Sequence, residues 1–402
     1  MTILTDPFFD SFASSVKDTT EAESLPPACY TDAEFYAFEK DALFYREWLC
    51  VGREEWLEKP GDFFTATHCD EPIVIARGRD GVIRAMSSVC QHRAMLVAEG
   101  HGNTRAFVCP YHHWTYDLDG KLVGAPAMNA TCNFDKADFG LPQFKVESWH
   151  GFLFVNFDPD APSLASQTQA LEAIVANYDF ASLRGPRPDA PVHYAWNWKV
   201  MFENNNDGYH ANRLHAGPLH NLVPSSEAEF PELPPDSAGY YRLNRSLQPD
   251  FSFNATLRAV FPVFPKLTDI ERHRLLFVNL PPSLSLVVMS DMVLYLILNA
   301  QSADTHEMTM GVLVRPEALD DPLFGHKMKL NDDGVSEIVA QDLHVDELVQ
   351  KGLKSRHAPR GRYSWQEGAQ RQFNLWLVER YWAERDRRRG PPAPVAALKA
   401  RS

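Results

Sequence analysis

Apolar positions recur along the chain in three successive textures. From Thr31 they follow a helical period: Phe35, Phe38, Ala42, Tyr45 and Leu49 fall on one face, with Thr31-x-x-Glu34 ahead of them as a capping box. From about Val51 to Asp158 the pattern shortens to runs such as FFTAT (63–67), PIVIARG (72–78), VIRAMSSV (82–89), FVCPYH (107–112) and FLFVNF (152–157). Arg79-Asp80-Gly81 and Leu118-Asp119-Gly120-Lys121 interrupt them with the Asp-Gly pairs that tight hairpins favour. Several short strands at this spacing predict an all-β module. DPDAPS (158–163) then reads as a linker, and Leu164, Leu171, Ile174, Val175 and Tyr178 as an amphipathic helix. Beyond it, LLFVNLPPSLSLVVMS (275–290), MVLYLILNA (292–300) and MTMGVLVRP (308–316) predict one antiparallel sheet, followed by helices over about 335–351 and 364–385. The last helix opens on a second capping box, Ser364-x-x-Glu367, and carries Ala369, Phe373, Trp376 and Leu377 on one stripe.

Composition narrows the class of protein. The chain has 402 residues, with 39 Lys+Arg against 53 Asp+Glu and a net charge of −14. That balance repels phosphates and argues against nucleic acid or an anionic membrane as partner. The longest strongly apolar run, 292–298, is too short to span a bilayer. MTILTDPFFD has neither a basic nor an apolar signal segment, so a cytoplasmic protein is expected. Six scattered cysteines suit a reduced compartment better than a disulfide scaffold.

Two of these cysteines stand at informative spacing. Cys90-Gln91-His92 is followed after sixteen residues by Cys109-Pro110-Tyr111-His112. Each half offers one thiolate and one imidazole, whereas structural zinc commonly takes paired like ligands at short spacing. The set suits a [2Fe–2S] cluster with both thiolates on one iron and both imidazoles on the other. It resembles the Rieske motif, C-x-H-x(15–17)-C-x2-H, and the flanks CQHR, CPYHHW and TYDLDGKL match as well. The resemblance implies Trp114 packed beside the cluster. His113 departs from it, because glycine is commonest there; His68, His101 and His150 have no ligand spacing.

A second constellation follows about a hundred residues later. A His-x4-His pair means little alone, since 15 His should produce any one spacing about half a time by chance. The surrounding stretch, from Asn197-Trp198-Lys199 through Glu203-Asn204 and Asp207-Gly208-Tyr209-His210 to His215, decides the matter. It resembles the catalytic signature of Rieske non-haem iron oxygenases, aromatic-ring-hydroxylating large (alpha) subunits, in which the two motifs occur in this order. At about 100° per residue His215 is rotated well away from His210 on a continuous helix, so a break is needed, and Gly208 and Asn212 are poor helix residues. Two His leave Fe(II) one ligand short of a facial triad. On the helix around 335–351, Ile338, Asp342, Val345 and Val349 share one face, and a carboxylate on an apolar stripe calls for a metal or a partner. The expected ligands are therefore His210, His215 and Asp342, with Asp346 and Glu347 on the solvent side and Gln341 where the family often has Glu.

The resemblance implies an α+β chain: an all-β Rieske [2Fe–2S] domain plus a START-like helix-grip catalytic domain with an antiparallel sheet. The expected divisions are an N-terminal helical segment of the catalytic domain (1–46), the Rieske domain (47–160), the mononuclear iron domain (161–385) and a disordered tail (386–402). It also implies that Asp207 links the cluster of one subunit to the iron of the next, through a neighbour's His112 and its own His210. The implied assembly is a homotrimer, with or without a β subunit. Electrons would come from NAD(P)H through a ferredoxin or flavin reductase, to activate O2 beside a small-molecule substrate. The FEN-x2-D-x-YHA-x2-LH string is similar to hydroxylases of aromatic acids, whereas GRYSWQEGAQRQFNLWL is similar to oxygenases and demethylases of quaternary ammonium compounds. Those usually carry Glu where this chain has Asp207, so mono- or dioxygenation of a small aromatic is the preferred expectation. An electron carrier or START-like binding protein is the reading from another class, and mononuclear iron on metal analysis separates the two.

Overall fold

The computed structural model describes residues 2–390 apart from 212, 216–217, 235 and 255. The short alternating runs form an antiparallel sheet ordered Leu49–Arg53, Phe152–Asn156, Gln143–Trp149, Ile83–Ser87, Glu71–Arg77, Asp62–His68, His101–Asn103. A smaller sheet of Phe107–Val108, Thr115–Tyr116 and Leu122–Gly124 stands beside it. Both Asp-Gly turns hold their glycine in the left-handed region, Gly81 at φ +82° and Gly120 at +78°, where a Cβ is costly.

The second sheet is also antiparallel, ordered Val192–Tyr194, Thr305–Leu313, Val293–Ser302, Leu284–Val288, Arg274–Leu280, Tyr240–Arg245, Ala228–Glu229. The run 275–290 is thus two strands, because Pro281 and Pro282 supply no backbone donors and the chain turns there to pair Leu280 with Leu284. Alternation then sorts the side chains. Leu276, Val278 and Leu280 fill one core with Tyr178, Tyr295 and Leu313, while Leu275, Phe277 and Val287 face the opposite side.

Helices cover the sheet on the side of the second motif. The helix Gly368–Arg389 begins after the Ser364 capping box, which is fully formed. It stacks Phe373 on Phe202, ring centroids 5.4 Å apart, and sets its edge against Trp198. This helix continues through Arg389, so 386–389 are helical rather than tail; the rest of the expected disordered segment, 391–402, lies outside the described residues. Tyr381 also meets Phe12 and Phe35 at 5.7 and 5.2 Å, which ties the N-terminal segment into the same core. Asp32, not Thr31, caps the helix Ala33–Glu39, accepting from the amides of Glu34 and Phe35. Pro26 and Pro27 start a separate turn of helix that ends at Thr31, and Glu34 binds Thr2 and Ile3 instead. Among the described residues no helix is long and apolar enough to cross a membrane.

Candidate active site

The Cys/His quartet sits on two loops of the β module. Cys90 and Cys109 are buried. Their loops fold back on themselves: the Cys90 amide donates to the Met95 carbonyl and the Cys109 amide to that of Trp114. The Tyr116 hydroxyl accepts from the Gln91 amide at 3.0 Å and lies 3.4 Å from Cys90 Sγ. The rings of His92 and His112 stand edge to face, 4.5 Å between centroids, and Trp114 stacks on His92 at 4.9 Å and 12°. His92 Nδ1 is buried without a hydrogen-bond partner. His113 sits at φ +58°, which explains why glycine suits that place.

The second motif is broken where its geometry demands. A helix runs from Trp198 to Asn206, Asp207 turns to an extended conformation, and a new turn of helix spans Gly208–Ala211. Asp207 Oδ1 caps that turn, accepting from the amides of Tyr209 (2.5 Å) and His210 (3.3 Å). Asp207 Oδ2 lies 3.2 Å from His210 Nδ1. The first break therefore falls at Asp207, one residue before Gly208; Asn212 lies outside the described residues.

His210, His215 and Asp342 converge, their ligand atoms all within 4.8 Å of one another. Nε2 of His215 lies 2.9 Å and Nε2 of His210 3.5 Å from Asp342 Oδ1, and the two Nε2 atoms are 3.2 Å apart. Gln341 Oε1 sits 2.8 Å from His215 Nδ1. An amide oxygen only accepts, so Nδ1 carries the proton and Nε2 turns a lone pair toward the carboxylate. Acceptor atoms facing one another, with Asp342 Oδ1 buried and unpartnered, are stabilised by a cation between them; the donor set of two imidazoles and one carboxylate fits Fe(II). Among the described residues this is the one group of three or more His, Cys, Asp or Glu gathered closely enough for a single ion.

The carboxylate of this group arrives on the helix Phe324–Leu353, far longer than its periodicity suggested. Its buried positions nearest the motif helix are polar. Asp346 is 1% exposed and accepts from Asn204 Nδ2 at 3.0 Å, and Gln350 accepts from the Asn197 amide and donates to the Tyr30 carbonyl. Asp346 therefore faces inward rather than to solvent, and Val349 is exposed. The apolar stripe misjudged the face because the neighbouring helix presents Asn197 and Asn204, which polar partners match.

Two features went unread in the sequence. Lys199 is fully buried with Glu39, Nζ 2.8 Å from Oε1, and the Tyr381 hydroxyl donates to the same carboxylate. Arg242 lines the pocket beside the His/His/Asp group; alternation of Tyr240, Arg242 and Asn244 against Leu243 would have flagged a charge on an inward face.

Glu203 is half-buried, and desolvation pushes its carboxyl up from 4.5 to about 7, although the Tyr30 hydroxyl donates to it. A raised carboxyl pKa gives stability that is fully present below about pH 4.5 and lost as pH rises through 7. Asp291 acts in the same direction, raised to about 6. We expect the metal-free protein to lose about 1 kcal/mol between pH 6 and pH 8 from Glu203. Thermal melts at the two pH values check this, and Glu203→Gln should flatten the difference; an unchanged difference in that variant contradicts it.

Residues 180–383 match the ring hydroxylating alpha subunit catalytic domain, and residues 47–145 match the Rieske [2Fe-2S] domain. The chain belongs to the ring-hydroxylating alpha-subunit family, with its Rieske domain joined to its catalytic domain. Among curated relatives, a glycine betaine monooxygenase oxygenase subunit of Chromohalobacter salexigens is 33% identical over 56% of this chain and 51% of that one. The chloroplastic choline monooxygenase of Arabidopsis thaliana is 34% identical over 50% of this chain and 51% of that one. A carnitine monooxygenase oxygenase subunit of Escherichia coli K12 is 34% identical over 49% and 53%. The chain thus spans about half the length of these relatives. In fold it is similar to a quaternary ammonium Rieske monooxygenase (TM-score 0.77, 24% identity, 94% of this chain and 99% of that one). It is equally similar to naphthalene 1,2-dioxygenase from Rhodococcus sp. (TM-score 0.80, 20% identity, 95% and 100%).

Proposed function

We propose that the protein is the oxygenase component of a Rieske non-haem iron monooxygenase acting on a small quaternary ammonium compound. The observation that carries the oxygenase reading is the convergence of His210, His215 and Asp342 on one point, in a chain that also carries the Cys/His quartet. The relatives named above favour a quaternary ammonium substrate over the small aromatic expected from Asp207. Carboxylate chemistry at the motif helix was thus a weak guide to substrate, because Asp207 faces His210 and not only the pocket.

Cys90, Cys109, His92 and His112 would hold the cluster, and His210, His215 and Asp342 the iron. When bound, the two groups supply one-electron transfer and activation of O2. Gln341 fixes the His215 tautomer, so that Nε2 faces Asp342. Asp207 caps the turn that carries His210, and its Oδ2 lies 3.2 Å from the ring's Nδ1. Apolar side chains, among them Val223, Leu275, Phe277, Leu294 and Ile338, line about 810 Å³ of free space, counting its open mouth, beside the group. They give the space largely apolar walls.

The homotrimer belongs to the same proposal. Tyr111, beside His112, is 52% exposed, and Tyr209 and Trp365, near Asp207, are exposed as well. Such aromatic side chains suit docking of a neighbour's cluster loop on the Asp207 face. The divisions at 1–46 and 47–160 are retained with it, the last domain running from 161 on to the end of its helix at Arg389, as is a reductase supplying electrons from NAD(P)H.

The test is anaerobically purified protein with a surrogate reductase and O2, screened by mass spectrometry against glycine betaine, carnitine, choline, benzoate and salicylate. A product from a quaternary ammonium compound, with mononuclear iron on metal analysis, supports the proposal; protein free of mononuclear iron, or a product from the aromatic acids alone, refutes it. Asp207→Asn should keep its iron yet slow single-turnover oxidation of the cluster by roughly 10- to 100-fold, the scale of losing an outer partner of a ligand. An unchanged rate removes Asp207 from the electron route.

A further inference from the structure

We propose that Arg242 is the substrate-binding residue of this pocket and that the substrate carries a carboxylate. The inference rests on reading the pocket beside His210, His215 and Asp342 as the substrate site, and it narrows the substrate to betaine-type zwitterions.

Arg242 enters from the strand Tyr240–Arg245, in register with Phe277 of the next strand. Its guanidinium carbon lies 3.6 Å from the Phe277 ring centroid, which fixes the plane of the fork. One terminal nitrogen donates to Asn244 Oδ1 and the other to the Asn205 carbonyl at 3.1 Å. Nε is sealed from solvent and has no hydrogen-bond partner. Among the described residues no carboxylate lies within ion-pair distance of Arg242; Asp207 acts on it only at longer range, and desolvation draws its pKa down to about 10.

A buried guanidinium held by neutral partners is costly. Most of the pocket around it is aliphatic or aromatic. Arginine keeps its charge under such burial and presents a planar fork that matches a carboxylate. An arriving carboxylate supplies the missing counter-charge and would leave the rest of a small molecule among the apolar side chains toward the His/His/Asp group. A ligand that is purely cationic meets an uncompensated positive charge, so choline is disfavoured although relatives include a choline monooxygenase.

Matched pairs of probes test this by calorimetric titration of the iron- and cluster-loaded protein without reductase: glycine betaine against choline, and benzoate against benzamide. The wild type should bind the carboxylate member of at least one pair roughly 10-fold or more tighter. Arg242→Met and Arg242→Lys should remove most of that preference, with the cluster's visible spectrum and the melting temperature reporting that each variant is folded. A structural role would weaken both members of a pair alike and leave their ratio intact. If Arg242→Met fails to fold, the wild-type ratios and Arg242→Lys carry the test. Preference for choline or benzamide, no binding of either carboxylate, or an unchanged ratio in a folded variant overturns the proposal. None of these results touches the oxygenase reading, which stands or falls separately on mononuclear iron and product formation. Tight binding of benzoate with none of glycine betaine keeps Arg242 as the carboxylate site but overturns the narrowing to zwitterions.

Discussion

Asp342→Ala is expected to remove mononuclear iron and end product formation while leaving the cluster's visible spectrum intact. The cause is local. Asp342 Oδ1 is the atom that both imidazole Nε2 atoms face, at 2.9 and 3.5 Å. Without it, two neutral imidazoles remain, and a divalent ion loses the one negative charge among its three ligands. Removal of an outer partner alone commonly costs 10- to 100-fold in metal affinity, so loss of a ligand should exceed about 100-fold. Cys90, Cys109, His92 and His112 lie on other loops and should keep their cluster. Metal analysis together with the visible spectrum checks both halves, and full turnover by the variant would remove Asp342 from the ligand set. Replacement of the nearby Asp346, which binds Asn204 instead, is the control expected to retain iron.

The second large effect concerns stability. Lys199→Met should cost roughly 3–5 kcal/mol, the usual result of removing one partner from a buried ion pair. Lys199 and Glu39 are both fully buried, with Nζ 2.8 and 3.0 Å from the carboxylate oxygens. The variant leaves Glu39 with the Tyr381 hydroxyl as its side-chain donor, which cannot neutralise a buried charge. Replacing both groups together, Lys199→Met with Glu39→Leu, should recover much of the loss, because two apolar side chains carry no desolvation penalty. Chemical denaturation of the wild type and the two variants measures the effect. A single variant as stable as the wild type would show that the pair contributes nothing. Lys199 follows Trp198 at the start of the motif helix, so the pair also secures the element that positions Asp207.

Much of the site was legible before the fold was known. Cys90-x-His92 and Cys109-x2-His112 pointed to their chemistry by spacing and flanking residues, and the structure places both halves on neighbouring loops with the His92 and His112 rings 4.5 Å apart. His210 and His215 were legible for a similar reason, once the neighbouring residues removed chance as an explanation. Asp342 was harder, because it lies more than a hundred residues from His215. The C-terminal part of its helix was legible but not the turns from Phe324 onward, and the inward face was assigned by apolar periodicity, which placed Asp346 outside. Periodicity assumes an apolar partner; here the partner helix offers Asn197 and Asn204, so Asp346 and Gln350 face inward. The first helix was displaced by one capping residue for an equally local reason, the proline pair before Thr31.

What the sequence alone determined was therefore the family, the α+β class and the residue types that can hold iron and sulfur, because each depends on short-range spacing. Only the tertiary structure brought Asp342 to His210 and His215, set Gln341 against the His215 ring, and paired Lys199 with Glu39. It also placed Arg242, buried without an ionic partner among the described residues, in the pocket beside the His/His/Asp group. Each of these depends on groups brought together from distant parts of the chain. Their energies arise from desolvation and from the direction of lone pairs, and a linear pattern of apolar and polar positions encodes neither.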